Sequence, residues 1–285
     1  MGLAPLERQG LPRTRFDRAR GGVATGALLE LDPDLGGLLD EPRRAAARAE
    51  LVVRLLRLRR GAWAGEELRS AGADHIGLLV VEGAIAREVV LADTVSTELL
   101  GPGDLIRPWS PDLEPRMLAS HVRWQVLAEA RLAVLSRAFG QAVLRFPEVN
   151  AMLLDRLNRR AERLAALKAI AQLNSVERRL LALFWHLADD WGRMTADGVV
   201  VPLTLSHRLL GELVGARRPT VSSALAEMAR DEKLVRRRDG SWLLAGEPEP
   251  TPAAAVSHLV LHRRRLLSVL PSENGAGAHG GPRGR

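Results

Sequence analysis

With 285 residues, 46% apolar side chains and no cysteine, the chain can bury two separate cores, which excludes a disordered protein, a disulfide scaffold and thiolate-held metal or iron–sulfur chemistry. A formal net charge of +7 favours a polyanionic partner, although solubility alone would also account for it. No apolar run approaches the roughly 20 residues of a membrane span, and the start of the sequence lacks a signal-peptide pattern, so a cytoplasmic protein with no membrane partner is expected.

Residues 1–50 carry Arg13, Arg15, Arg18 and Arg20 before Gly21 and Gly22, a pattern of a solvated basic arm, with nucleic-acid contact as the lesser reading. The Ala/Leu/Arg-rich run from Pro42 to Leu58 predicts a helix leading into a first strand. Short strands punctuated by glycine follow. Ile76–Val81 and Ile85–Leu91 are apolar runs on either side of a predicted turn at Glu82-Gly83, and Gly101-Pro102-Gly103-Asp104 predicts another turn before Leu105-Ile106. From Trp124 to Leu135, Val126, Ala128, Ala130, Leu132 and Val134 alternate along one long strand. This spacing suits an antiparallel β-roll or jelly roll. Trp109 and Trp124 read as core residues, with the lining of a ligand pocket as the alternative.

A short helix is predicted over Phe139–Arg145, closed by Pro147, and a long breaker-free helix over residues 148–173. Leu153, Leu157, Leu164, Leu167 and Ala171 stand at three- and four-residue steps once Arg160 or Ala161 fills the gap, which predicts a coiled-coil-like seam. Packing on the β-roll is compatible with the same pattern. Asn174 with Glu177 predicts a capping box for the next helix, in which Val176, Leu180, Leu183, Phe184 and Leu187 face inward, and Asn174-Ser175 predicts a hinge. A short strand is expected at Val199–Val201.

Between Leu203 and Gly246 lie two amphipathic segments, a tight corner and a basic hairpin. Leu209, Leu210, Leu213 and Val214 share one helical face behind Ser206 as N-cap, and Gly215 ends that helix. Val221, Ala224, Leu225 and Met228 share a face of the second, with Pro219 in its first turn. Gly215-Ala216-Arg217 has the length of a helix-turn-helix corner. The opposite face then presents Arg217, Arg218, Thr220, Ser222 and Ser223, groups suited to guanine edges and phosphate oxygens. Leu234–Leu244 predicts a hairpin around a primed turn at Asp239-Gly240, carrying Arg236, Arg237 and Arg238. Beyond Gly246 a proline-rich linker, a short basic helix within Val256–Leu270 and a glycine-rich tail are expected.

Helix, GARRPTVS corner, helix and basic hairpin resemble the C-terminal DNA-binding domain of the Crp/Fnr family of bacterial transcription regulators. The preceding strands resemble the cyclic-nucleotide-binding domain of the same family. The resemblance implies an α+β protein: an N-terminal arm over residues 1–50, a β-roll over 51–147, a dimerisation helix over 148–173, a winged helix-turn-helix over 174–246 and a tail over 247–285. It also implies a homodimer on double-stranded DNA, and it allows RNA polymerase as a further partner. Arg218 becomes the first choice for base readout, with Arg217, Ser222 and Ser223 as further readers or phosphate contacts. Ser206, His207, Thr220 and the wing arginines would grip the backbone.

The sequence departs from the family where the cyclic phosphate would bind. Leu105-Ile106-Arg107-Pro108-Trp109 puts Pro108 where the ribose-binding acid is expected, and Ser120-His121 falls near the expected Arg-Ser pair. Arg107, Arg116 and Arg123 are the remaining candidate cations. Weak or no cyclic AMP binding follows, with no cofactor and an unknown effector. HExxH, phosphate-loop and paired-cysteine motifs are missing, so no enzyme and no metal site is expected. Two alternatives to a sequence-specific regulator stay open: a nonspecific architectural DNA binder, and a regulator answering to a non-nucleotide ligand.

Overall fold

The computed structural model describes residues 24–65, 75–109 and 120–247; the basic arm arginines and the elements expected beyond Glu247 lie outside these. The described residues up to Gly246 belong to one compact unit. Its first half is a seven-stranded antiparallel sheet rolled around two apolar clusters.

Strand β1 (Thr25–Ala27) pairs with β2 (Val52–Leu58). Between them come α1 (Leu28–Leu31), a short 3-10 turn and α2 (Glu41–Glu50). The Asp40 carboxylate accepts from the Arg43 N–H at 2.9 Å and so starts α2. The expected helix over the Pro42–Leu58 run is thus cut at Glu50. Val52–Leu58 instead joins the ladder of β7 (Ser120–Leu135), burying Val53 and Leu58. The long-range ladder overrides local helix preference here.

A second correction concerns Glu82-Gly83. No turn forms there. β4 (Gly77–Leu91) runs through it as one strand, pairing with β7 from Gly77↔Leu135 to Leu91↔Ser120. Register shifts between Val80 and Ile85 mark bulges that bend the strand over the roll. Gly83 sits at φ +95°, and a Cβ there would lie 2.4 Å from the Glu129 carbonyl oxygen. Only glycine fits this approach. Strands β3 (Gly61–Trp63) and β6 (Leu105–Ile106) pair with β7 and β4, and β5 (Thr94–Leu100) closes the edge along β4. The expected turn at Gly101–Asp104 is present, with the Asp104 N–H donating to the Gly101 carbonyl at 3.0 Å.

Helix α3 (Arg137–Val143) begins two residues before the expected Phe139, because the Ser136 hydroxyl caps it at 3.4 Å from the Phe139 N–H. Helix α4 (Pro147–Ala171) then crosses the roll. Three arginines one turn apart bind it there. Arg156 donates to Asp32 at 2.9 and 3.0 Å, Arg160 forks onto Glu98 at 2.6 and 2.8 Å, and Arg163 meets Asp104. Burial pushes the Asp104 carboxyl above its ordinary range, against the pull of Arg163.

This clamp decides which face of α4 is free. Leu153, expected in an intermolecular seam, is 2% exposed and packs into the chain's own first core. Leu167 lies against the C-terminal core and Ala171 is half-buried. Leu157 and Leu164 do face solvent, joined by Leu154 and Ala161, whereas Arg160 is occupied by Glu98. The exposed apolar stripe is therefore Leu154, Leu157, Ala161 and Leu164, at steps of three and four.

Helix α5 (Val176–Trp191) is capped by Ser175, whose hydroxyl accepts from the Arg178 N–H at 3.2 Å. The expected cap, Asn174, accepts instead from the Arg178 guanidinium at 3.2 Å. Leu180, Leu183, Phe184 and Leu187 are buried as expected. A β8 (Arg193–Thr195) and β9 (Gly198–Val201) hairpin follows, β8 being wholly exposed and polar enough to escape sequence reading.

Candidate nucleic-acid interface

Helix α6 (His207–Val214) begins at Ser206, whose hydroxyl accepts from the Leu209 N–H at 3.2 Å. Gly215, at φ +65°, ends it. The corner is tight: the Ala216 N–H donates to the Gly211 carbonyl at 2.9 Å. Helix α7 (Arg218–Arg230) starts after Arg217, with Pro219 in its first turn. Leu209, Leu210, Leu213, Val214, Val221, Ala224, Leu225 and Met228 are all buried in one core with α5. Phe184 and Trp242 meet in it at 4.9 Å between rings.

With those faces inward, Arg217, Arg218, Thr220 and Ser223 stand exposed on the outer face of α7. Ser222 is half-buried and committed. Its hydroxyl donates to the Arg218 carbonyl at 3.0 Å and lies 2.8 Å from His207 Nδ1. The Ser223 hydroxyl donates to the Pro219 carbonyl at 3.3 Å. Both serines therefore spend their proton on the helix itself and offer outward only lone pairs.

The basic hairpin is formed by β10 (Leu234–Arg236) and β11 (Trp242–Leu244), and β11 also pairs with β9. Its connection is longer than the two-residue primed turn expected. The Gly240 N–H donates to the Arg237 carbonyl at 3.0 Å, the Arg237 N–H to the Ser241 carbonyl at 2.8 Å, and only Gly240 has positive φ. Either primed turn at Asp239-Gly240 needs positive φ at Asp239, and Asp239 is instead held by Ser241, whose N–H and hydroxyl donate to it at 2.9 and 2.6 Å. These bonds keep the Asp239 carboxyl below its ordinary range. Arg236 lies 5.7 Å over the Trp242 ring, and Arg236, Arg237 and Arg238 are exposed. Among the described residues, none of Arg217, Arg218, Arg236, Arg237 and Arg238 forms an ion pair. Five unneutralised guanidinium groups thus lie on the corner, α7 and the hairpin.

Sequence reading passed over Arg208. It bridges Glu212 at 3.1 Å and Glu88 of β4 at 3.6 Å, while the Thr97 hydroxyl donates to Glu212 at 3.0 Å. The Arg208/Glu212 spacing was visible as an i, i+4 pair, but not its link to the roll.

Inside the roll, the stretch that departs from the cyclic-nucleotide pattern is apolar. Trp109 and Trp124 are each 9% exposed and share a core with Trp63, whose ring meets Trp124 edge-on at 6.0 Å. Arg123 is tied to buried Glu88 at 2.8 Å, Arg107 is exposed, and Arg116 lies outside the described residues. Ser120 and His121 sit at the start of β7, paired with Leu91 and Val90. Among the described residues, no cluster of three or more metal-ligating side chains occurs and no helix is long and apolar enough to cross a membrane.

A β-roll joined by one long helix to a winged helix-turn-helix defines a two-domain regulator architecture. Residues 178–244 match the family model of the Crp-like helix-turn-helix domain. Similar curated proteins include the global nitrogen regulator of Nostoc sp., 28% identical over 33% of this chain and 42% of that protein, and the regulatory protein CysR of Synechococcus elongatus, 28% identical over 58% of this chain and 73% of that protein. The chain thus spans less than half the length of the first of these. Among solved structures, the cyclic nucleotide-binding domain containing protein from Listeria monocytogenes shares the fold at a TM-score of 0.56 and 18% identity, covering 75% of this chain and 97% of that one. A CooA mutant from Carboxydothermus hydrogenoformans does so at 0.52 and 19%, covering 67% and 83%. Residues 178–244 thus carry a Crp-like helix-turn-helix domain, and the described residues share the fold of these two solved structures.

Proposed function

We propose that the protein is a sequence-specific regulator that binds duplex DNA as a homodimer. The observation that carries this reading is that Arg217, Arg218, Arg236, Arg237 and Arg238, on the corner, α7 and the hairpin, are exposed and form no ion pair among the described residues. Arg218, first on that helix, reads a base edge, and Ser223 offers a lone pair to a base amino group; Arg217, Thr220 and the hairpin arginines hold phosphates, with Ser206 and His207 beside them. Ser222 positions α7. Pairing of two chains runs through Leu154, Leu157, Ala161 and Leu164, which would leave half-site centres about 10 base pairs apart.

The β-roll binds cyclic AMP weakly or not at all. Pro108 replaces the expected acid, Arg123 is neutralised by Glu88, and three tryptophans occupy the roll. Any effector is of another chemistry.

Selection of bound sequences from a random duplex library at two salt concentrations tests this. Enrichment of a two-fold-related motif that survives the higher salt is expected. Binding that fades with salt and enriches nothing would instead mark an architectural DNA binder.

A further inference from the structure

His207 stands at the start of α6, half-buried, between the two parts of the basic face. Its imidazole lies 2.8 Å from the Ser222 hydroxyl. A hydroxyl has one proton, and Ser222 spends it on the Arg218 carbonyl at 3.0 Å. Ser222 can therefore only accept from the ring, so Nδ1 carries a proton and Nε2 is the nitrogen left to titrate. Gaining a proton at Nε2 leaves the Ser222 bond intact.

The charges around the ring are all of one sign. Arg218 of α7 and Arg236 of β10 act on it, and both are without an ion-pair partner among the described residues. On its own helix the neighbouring Arg208 is turned to Glu212 and Glu88. Burial, then Arg236, then Arg218 depress the His207 pKa below its ordinary 6.5. In the free protein these effects favour the uncharged ring. A phosphodiester held by Arg236 beside the ring would neutralise the larger of the two charges that now disfavour a third and would favour charge on Nε2.

We propose that His207 is a proton-taking phosphate contact: the ring enters the interface neutral, keeps Nδ1–H on Ser222, and takes a proton at Nε2 as a DNA backbone phosphate arrives. The inference rests on the DNA-binding reading above. Linkage fixes its sign. A group with a higher pKa in the complex than in the free protein makes binding tighter as pH falls through the bound pKa, by no more than about tenfold per pH unit for one proton.

The test is fluorescence anisotropy of the full chain on its selected duplex from pH 6 to pH 8.5 at constant ionic strength. Titration calorimetry at pH 7, in two buffers of different ionisation enthalpy, accompanies it. The wild type should tighten by about three- to tenfold from pH 8 to pH 6 and take up protons on binding. His207→Gln should flatten the profile and lose the buffer-dependent heat, and His207→Arg should bind with no pH dependence contributed by this position. A His207→Gln profile parallel to the wild type, or undiminished proton uptake, would overturn the proposal while leaving the DNA-binding reading in place. Absence of binding to any duplex at any of these pH values would overturn that reading, and the proposal with it.

Discussion

Arg160 of the long helix grips Glu98 of the roll with two nitrogens, at 2.6 and 2.8 Å, and its third reaches the Leu105 carbonyl at 3.1 Å. The side chains are 18% and 9% exposed, so each charge depends on the other. Glu98→Ala would strand the guanidinium and should cost about 3 kcal/mol or more in urea unfolding, whereas replacing both residues by apolar ones should cost far less. Similar losses for the single and double variants would show that the pair is not coupled.

The same clamp separates two leucines adjacent in sequence. Leu153→Ala empties a position 2% exposed and should cost about 2 to 5 kcal/mol of stability. Leu154 is 59% exposed, and Leu154→Lys should leave subunit stability nearly unchanged while weakening self-association in analytical ultracentrifugation. A dimer indifferent to Leu154→Lys and Leu157→Lys would remove this stripe from the interface.

Gly83 bends β4. With a Cβ 2.4 Å from the Glu129 oxygen and φ at +95°, Gly83→Ala should lower stability by about 1 to 3 kcal/mol, read as a drop in Tm. An unchanged Tm would mean that the bulge relaxes freely.

His186 of α5 has its pKa lowered by burial, which outweighs Asp189 and Asp190. The unfolded chain then binds the proton more readily than the folded one, so stability is complete above about 6.5 and falls as pH drops through the window beneath it. His207 adds a term of the same sign. Thermal melts from pH 8 to pH 5 should show this decline, reduced in His186→Gln. A flat profile would contradict it.

Much of the DNA-binding half was legible because its signals are local. Ser206 caps, Gly215 stops, Pro219 starts, and the apolar steps of α6 and α7 follow from helical period alone. What was misread depended on distant partners. Glu82-Gly83 looks alike as a turn or a bulge, and only a 16-residue partner strand decides between them. Leu153 and Leu154 are equally apolar; the acids Asp32, Glu98 and Asp104, far away in sequence, choose which one faces inward. Ser222 carries no local sign that His207, fifteen residues earlier, lies 2.8 Å from its hydroxyl.

Arg218 stands exposed at the first position of α7. On a selected site Arg218→Ala should cost about 1 to 3 kcal/mol and relax preference at one base position per half-site. An equal loss on selected and random duplexes, measured by competition, would reduce Arg218 to a phosphate contact.

A hydroxyl-radical footprint of the full chain on its selected duplex would show whether two α7 helices engage the DNA together. Two symmetric protected half-sites with centres about 10 base pairs apart, lost together in Leu154→Lys, are the expected result. A single protected segment, or uniform protection along the duplex, would contradict a dimer that reads sequence through paired α7 helices.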